Sequence, residues 1–129
     1  MEQENTKWGS WRDLYSIPGC RVKELIVGDG HSLSMQKHFQ RSEIWLIAQG
    51  TCLISTRDHQ GNEINKRIYK QHDHYIIPKG DWHKIRNPFS EPCHIIEIQY
   101  GEDCREDDIE LCERDQEQRR LEYEKNNTI

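Results

Sequence analysis

Several features that would mark a membrane protein, a secreted protein or a repeat protein are missing from this chain of 129 residues. Its longest apolar run, Ile44–Ala48, is far shorter than the ~20 residues that a membrane helix needs. No signal peptide opens the chain, no internal repeat is visible, and the five cysteines form no CxxC pair. We therefore expect a cytoplasmic protein without membrane contact, in which the cysteines are small buried thiols rather than disulfides or metal ligands.

An excess of basic residues is also lacking, because 18 Lys and Arg stand against 23 Asp and Glu. A protein that binds nucleic acid would be expected to show a basic face, and none stands out here. The acidic excess lies after Gly101, where residues 102–129 include 11 acidic and 5 basic side chains. This composition predicts a compact domain over 1–101, with an N-terminal arm, followed by an acidic C-terminal extension over 102–129 that is partly helical or disordered.

Short runs of β-forming residues alternate with turn signals from Cys20 onward. Their spacing of roughly 8–12 residues, without a convincing amphipathic helix, predicts an all-β sandwich or barrel. The glycine in Gln49–Gly50 predicts a tight hairpin between two apolar strands. Met1–Lys7 is polar and predicted to be loose, and the aromatic residues of Trp8–Trp11 are expected to pack against a barrel wall or a partner subunit. The predicted strands are CRVKELIV, EIWLIA, TCLIST, EINKRIYK, HYIIP, HKIRN and HIIEIQY.

Four residues have the types and spacing of a divalent-metal site. Gln36 and His38 are two positions apart, so they share a face if this segment is extended. Glu43 begins the next strand, and His83 lies in the later segment PKGDWHKIRN. Two imidazoles, a carboxylate and a carboxamide oxygen suit Zn²⁺ first, with Mn²⁺, Ni²⁺, Co²⁺ or Fe²⁺ as alternatives, and they leave coordination positions open.

Five sequence motifs carry a family resemblance that spans Lys7–Asp115. WGSW, LSMQKHFQRSEIW, IPKGDWHKIRNP, IIEIQYG and EDDI resemble, in the same order, motifs of the cupin domain of type II mannose-6-phosphate isomerases. That domain also forms the C-terminal part of bifunctional isomerase and guanylyltransferase enzymes. The resemblance implies a double-stranded β-helix barrel, or jelly roll, and one metal ion held by Gln36, His38, Glu43 and His83. It further implies isomerisation of mannose 6-phosphate to fructose 6-phosphate through a cis-enediolate, with homodimer formation.

Beside the metal ligands, polar residues are candidates for contact with the phosphorylated sugar. Strand alternation in HIIEIQY places Glu97 and Gln99 on one face, which we expect to point into the barrel. Cations suit a phosphate or a developing oxyanion. The general base is left open between Lys84, Glu97 and His74, of which the first two are the predicted catalytic residues. The predicted substrate-binding residues are Lys23, Arg41, Lys79 and Gln99. His72–His74 is predicted to be a loop or strand edge rather than a second metal site.

The chain departs from the usual family pattern around its metal ligands. The family has three consecutive histidines, then Arg, a small residue, Glu and another His. Lys84 stands where the second motif usually has arginine, and lysine lacks the planar bidentate fork. These departures predict a pocket that differs from the family's. Two alternatives therefore stay open, a cupin that binds a sugar or other ligand without turnover and an Fe²⁺ oxygenase. The first-motif places are held by His38, Phe39, Gln40, Arg41, Ser42, Glu43 and Ile44.

Overall fold

The computed structural model describes residues 2–105 and 107–111, which form eleven β-strands and no helix. No helix in this part of the chain is long and apolar enough to cross a membrane. The strands are β1 (Gln3–Thr6), β2 (Gly9–Ile17), β3 (Cys20–Val27), β4 (Gln36–Lys37), β5 (Arg41–Gln49), β6 (Thr51–Arg57), β7 (Glu63–Lys70), β8 (His74–Ile77), β9 (Trp82–Arg86), β10 (Cys93–Gly101) and β11 (Glu110–Leu111).

The strands form two antiparallel sheets, which confirms the all-β prediction. The six-stranded sheet has the order β1-β2-β3-β10-β5-β8, and the five-stranded sheet has the order β11-β4-β9-β6-β7. Strands β3 and β7 begin and end at the predicted residues. Sequence neighbours often lie in different sheets, as in a jelly roll, so residues far apart in the chain meet inside the barrel.

The hairpin predicted at Gln49–Gly50 is wrong. Strand β5 pairs with β10 and β8, whereas β6 pairs with β7 and β9, so Gly50 connects one sheet to the other. The glycine is still required, because its φ is +87° and an added Cβ would lie 2.6 Å from the Pro92 carbonyl oxygen. The local sequence, two apolar strands joined by a glycine, is compatible with a hairpin. Only the pairing of β5 and β6 with other strands excludes it.

The N-terminal arm is more ordered than its sequence predicts. Within Met1–Lys7, predicted to be loose, Gln3–Thr6 forms β1 and pairs with β2 in register from Gln3 opposite Arg12 to Thr6 opposite Gly9. Backbone pairing holds this polar segment although it buries little apolar surface. Trp8 and Trp11 pack against the hydrophobic core, which confirms the barrel-wall alternative.

The described part of the C-terminal extension returns to the barrel. Strand β11 pairs with β4, with Glu110 opposite Lys37 and Leu111 opposite Gln36. The Lys37 Nζ also lies 3.5 Å from Glu110 Oε2. Residues 107–111 thus lie beside the segment that carries the first predicted metal ligands. The helical or disordered character predicted for residues 112–129 falls outside the described residues.

The barrel interior is divided into an apolar end and a polar end. On β5 the buried side chains run from Arg41 and Glu43 to Trp45 and Ile47, so a single strand passes from one end to the other. Cys52 and Cys93 are buried in the apolar core, as predicted for structural thiols, whereas Cys20 and Cys104 are half-buried and Cys112 is outside the described residues. The apolar core comprises Leu25, Val27, Trp45, Ile47, Cys52, Ile54, Tyr69, Ile77, Ile85, Cys93 and Ile95.

We expect Gly50→Ala to destabilise the domain more than Gly61→Ala does. Both glycines have φ near +88°, but an added Cβ at Gly61 meets no atom within 4 Å. Gly61→Ala is therefore the control. Its free energy of unfolding should fall only by the cost of a left-handed backbone, about 1–2 kcal/mol. Gly50→Ala adds a backbone clash and should lose roughly 3 kcal/mol or more. Urea unfolding of both variants measures the difference, and equal losses would contradict the role of the Pro92 contact.

Candidate metal centre

A cavity of about 330 Å³ occupies the polar end of the barrel. This volume lies within the range of small-molecule sites, which are commonly about 300–1,000 Å³. The walls come from both sheets and from the N-terminal arm, since Thr6, Trp8 and Trp11 contribute beside residues of β3, β9 and β10. The charged or titratable side chains that line it are Lys23, His38, Arg41, His83, Lys84 and Glu97.

His38 and His83 line this cavity, and the buried Glu43, which does not line it, lies close to both. His38 follows β4, Glu43 is on β5 and His83 is on β9, and one ligand atom of each lies within 4.8 Å of the others. The His38 Nε2 is 3.2 Å from Glu43 Oε1, and the His83 Nε2 is 3.7 Å from Glu43 Oε2. The cluster therefore combines residues from both sheets around one carboxylate.

Hydrogen bonds on the far side of each ring direct its Nε2 toward Glu43. The His38 Nδ1–H donates to the Asp108 carbonyl oxygen at 2.5 Å, and the His83 Nδ1–H donates to the Asp81 carbonyl oxygen at 3.2 Å. A carbonyl only accepts, so each Nδ1 carries the proton and each Nε2 keeps its lone pair. This is the arrangement in which backbone carbonyls orient metal-binding imidazoles.

Burial keeps both imidazoles neutral. Burial, with a smaller contribution from the neighbouring His38, lowers the pKa of His83 to about 3. Burial, together with the positive charge of Arg41, also lowers the pKa of His38. A neutral imidazole is the form that binds a metal, so neither ring has to lose a proton first at neutral pH.

Gln36 completes the set of four predicted ligands. It lines the cavity and lies directly opposite His83 in the pairing of β4 with β9, which places both side chains on one face. Two imidazole nitrogens, a carboxylate and a carboxamide oxygen form a donor set suited to a divalent transition metal or zinc. The residues present therefore fit the metal ion that the sequence predicts, although they do not select among the candidate metals.

Arg41 is the cation beside this cluster. Its Nε donates to Glu43 Oε1 at 3.1 Å, and its Nη2–H donates to the His38 Nε2 at 3.1 Å. The carbonyl oxygens of Cys104 and Arg105 accept from Nη1. The guanidinium thus balances the charge of a carboxylate that is only 1 % exposed.

A second carboxylate, Glu97, lies next to the cluster. The indole N–H of Trp45 is shared between Glu43 Oε2 at 3.0 Å and Glu97 Oε2 at 3.1 Å. The Gln99 amide N–H donates to Glu97 Oε1 at 2.6 Å. Burial raises the pKa of Glu97 to about 7, with a contribution from the negative charge of Glu43. Glu97 can therefore gain or lose a proton close to neutral pH.

The remaining predicted site residues are distributed unevenly. Lys23 and Gln99 are buried and line the cavity. Lys84 also lines it, but it alternates with the buried side chains of β9, so its side chain leaves the opposite face of that strand from His83. Lys79 does not line the cavity, and its Nζ lies 3.7 Å from Glu102 Oε1. His74 is exposed at the start of β8, where a turn precedes it, in agreement with the predicted strand edge.

The departures from the family pattern lie mostly outside the pocket, contrary to expectation. Phe39 is 53 % exposed, and neither Ser42 nor Ile44 lines the cavity. The hydroxyl of Ser42 accepts a hydrogen bond from the Lys79 backbone N–H instead. Alternation along β5 explains this, since Arg41, Glu43 and Trp45 point inward and the residues between them do not.

Two residues that contact the candidate ligands, Asp108 and Trp45, were not among the predicted site residues. Asp108, inside the EDDI motif, accepts hydrogen bonds from the backbone N–H groups of Phe39 and Gln40 through its carboxylate. Its own carbonyl holds His38, so it fixes that ring through both groups. Trp45 has a local signal, because it lies two residues after Glu43 on one strand. Asp108 has none, since 70 residues separate it from His38.

Asp108→Ala should lower the affinity for Zn²⁺ by roughly 10–100-fold, because the loss of an outer partner loosens a metal ligand. Without its carboxylate the segment no longer holds the carbonyl against His38. Titration calorimetry of the purified variant measures the affinity. Asp107→Ala is the matched control, since Asp107 is exposed and its carboxylate lies 3.7 Å from Arg105 Nε. Equal affinities for the two variants would contradict this assignment.

Glu97→Gln should change how stability depends on pH in the metal-free protein. The pKa of Glu97 rises from 4.5 to about 7 on folding, so the folded state binds this proton more tightly. The stabilisation is fully present below pH 4.5 and is lost as the pH rises through 7. As the pH rises from 4.5 to above 7, the free energy of unfolding of the wild type should fall by about 3 kcal/mol relative to that of Glu97→Gln. Urea unfolding of both proteins across this pH range, with a chelator present, measures the change. A difference in unfolding free energy that does not vary with pH would contradict the prediction.

Comparison with known proteins finds a matching family and similar proteins. Residues 2–114 match the family described as mannose-6-phosphate isomerase C-terminal. The chain is 34 % identical over 106 residues to the alginate biosynthesis protein AlgA of Pseudomonas putida and covers 21 % of it. It is 32 % identical over 102 residues to a mannose-1-phosphate guanylyltransferase of Sinorhizobium fredii, covering 19 % of that protein. These matches take in 82 % and 79 % of this chain, so it spans about a fifth of the relatives' length.

Solved structures show the same fold at low sequence identity. The capsular polysaccharide assembling protein CapF of Staphylococcus aureus superposes with a TM-score of 0.76 at 20 % identity, over 85 % of this chain and 32 % of that chain. The oxalate decarboxylase of Bacillus subtilis also gives 0.76, at 14 % identity, over 86 % and 30 %. These likenesses and the family match confirm that the chain is a cupin barrel belonging to the mannose-6-phosphate isomerase C-terminal family.

Proposed function

We propose that this domain is a metal-dependent isomerase that interconverts mannose 6-phosphate and fructose 6-phosphate. One observation carries the proposal. His38 and His83, which cluster with the buried Glu43, line the same cavity as Glu97, a buried carboxyl group whose pKa is about 7. Aldose–ketose isomerisation requires an electrophile at the oxygens and a group that moves one proton between neighbouring carbons.

The electrophile would be held by Gln36, His38, Glu43 and His83. When bound, a divalent cation would supply Lewis-acid polarisation of the substrate's carbonyl oxygen, which would ease removal of the proton on the adjacent carbon. The protein's part is to keep both histidine Nε2 atoms unprotonated and aimed at one point. Burial and the two backbone carbonyl acceptors achieve this.

Glu97 is the better of the two catalytic residues predicted from the sequence. As a carboxylate it takes the proton from C2 of the open-chain aldose, which leaves an enediolate. The hydroxyl proton on O2 passes to O1, and Glu97, now a carboxylic acid, returns its proton to C1, so the carbonyl forms at C2. Its pKa of about 7 suits both directions near neutral pH. Trp45 and Gln99 hold both its oxygens in place. Lys84 is less suitable, because β9 directs it away from His83.

Two further groups suit the rest of a phosphorylated sugar. Lys23 is 3 % exposed, lines the cavity and lies with its Nζ 4.0 Å from the centre of the Trp11 ring, so we assign the phosphate to it. Arg41 is already engaged by Glu43. The Gln99 Oε1 is buried without a hydrogen-bond partner in the described part of the chain, and a sugar hydroxyl would satisfy it.

The two alternatives account for less of this arrangement. A domain that only binds a sugar has no use for a buried carboxyl group that changes protonation near neutral pH. An Fe²⁺ oxygenase shares the two histidines and the carboxylate, but its chemistry needs no proton-transfer group in the position of Glu97. Glu97 therefore separates isomerisation from both alternatives.

A coupled assay of fructose 6-phosphate formation by metal-loaded protein tests the proposal. His83→Ala should lose both bound metal and turnover. Glu97→Gln should keep stoichiometric metal while kcat falls by about 10²–10⁴-fold, the usual contribution of a general base. Lys84→Ala should lose less than tenfold if Glu97 is the base. Stoichiometric metal without turnover in the wild type would refute isomerisation, and metal-dependent consumption of O₂ would favour the oxygenase.

A further inference from the structure

Basic side chains are concentrated on the five-stranded sheet. Its strands contain seven Lys and Arg residues but only two acidic residues, Glu63 and Glu110. The strands of the other sheet contain four Lys and Arg residues and five acidic ones. The five-stranded sheet is therefore positive in a chain whose formal net charge is −5. Strand alternation places six of its seven cations on the outer face: Lys37, Arg57, Lys66, Lys70, Lys84 and Arg86.

The strand pairings arrange part of this surface in three rows that cross β7, β6 and β9. Cations occupy all three rows, and the middle row also carries an aliphatic pair, Ile68 opposite Leu53. Successive rows are about 7 Å apart. We call these residues the basic face: Lys66, Ser55 and Lys84 in the first row, Ile68, Leu53 and Arg86 in the second, and Lys70 and Thr51 in the third.

The groups of the basic face are available to a partner. Its four cations form no ion pair within the described part of the chain. Ile68 is 56 % exposed between the two lysines of β7, and Ile64 on the same strand is 53 % exposed. Protruding aliphatic side chains among cations without a counter-charge indicate a partner that offers both negative charge and an apolar layer.

An anionic phospholipid surface has this combination, and nucleic acid fits less well. Lipid headgroups supply phosphates, and the acyl chains directly beneath them accept aliphatic side chains. Single-stranded nucleic acid would instead stack its bases on aromatic rings. The rings of Trp82 and Phe39 beside the basic face already have the Lys37 Nζ 4.7 and 5.3 Å from their centres. A polynucleotide would also gain little from contact with Ile68.

We propose that the basic face binds peripherally to a membrane surface rich in anionic phospholipids. The four cations lie at the headgroup phosphates, and Ile68 enters the boundary between headgroups and acyl chains. The sequence expectation of no membrane contact rested on the lack of a long apolar run, and a peripheral contact needs none. His83 and Lys84 leave opposite faces of β9, so this contact lies on the far side of the sheet from the metal centre. The proposal does not depend on the isomerase activity.

Cosedimentation of the purified full chain with lipid vesicles tests the proposal. The wild type should bind vesicles of phosphatidylcholine that contain roughly 30 % phosphatidylserine and should not bind phosphatidylcholine alone. Its affinity should fall about tenfold or more between roughly 50 and 500 mM NaCl, because salt screens the attraction. Each unit of positive charge near an anionic surface strengthens binding about fivefold. Lys66→Glu combined with Lys70→Glu removes four units and should weaken binding by about 100-fold or more.

Two further variants separate local contact from net charge. Arg12→Glu combined with Lys79→Glu changes the net charge by the same amount, with side chains that are 56 % and 55 % exposed outside the basic face. This control should keep the wild-type affinity to within about threefold. Ile68→Ser should weaken binding by about fivefold, because it removes apolar surface from the lipid, and it should leave the salt dependence unchanged.

Circular dichroism and the melting temperature verify folding in each variant. If the double variant of β7 fails to fold, Lys70→Glu alone replaces it, with an expected loss of about tenfold or more. Four outcomes overturn the proposal: no binding to the anionic vesicles, equal binding to neutral ones, equal weakening in the control, or an Ile68→Ser protein that binds as tightly as the wild type. Binding to single-stranded DNA of about 20 nucleotides without binding to vesicles also overturns it, and assigns the basic face to nucleic acid.

Discussion

The polar end of the barrel depends on one buried negative charge, that of Glu43. An ionised carboxylate with 1 % exposure is costly unless cations and hydrogen-bond donors surround it. Arg41 and Trp45 donate hydrogen bonds to it, and His38 and His83, from two other segments of the chain, turn their unprotonated Nε2 atoms toward it. The positions of these side chains therefore determine one another, and the cavity takes its shape from the requirement to satisfy this carboxylate.

Strands β5 and β10 line the candidate metal centre with their inward side chains and present apolar side chains on their outer side. On β5, Glu43 points inward and Ile44 outward, and on β10, Glu97 and Ile98 do the same. A shift of one residue in the register of either strand would exchange the two sets. The geometry of the site and the character of the outer face are thus fixed by one set of backbone pairings, so a substitution that disturbs the pairing affects both.

Local patterns predict much of this structure, and non-local contacts account for the rest. The bounds of β3 and β7 follow from residue type and turn signals, and the spacing of Gln36, His38, Glu43 and His83 identifies the candidate ligands before any coordinates. The sheet change at Gly50 depends on which distant strand pairs with β5, which periodicity does not encode. Asp108 acts on His38 across 70 residues, and its own neighbourhood is an acidic run that resembles a solvated tail.

The contact between Arg41 and His38 bears on any metal ion that would bind at this candidate centre. The His38 lone pair accepts a guanidinium N–H, and Glu43 is paired with the same guanidinium. A metal ion at this place would have to displace the guanidinium from His38 and share Glu43 with it. Arg41 would therefore act as a tethered competitor, and only an ion that gains more from these ligands than the arginine does would bind.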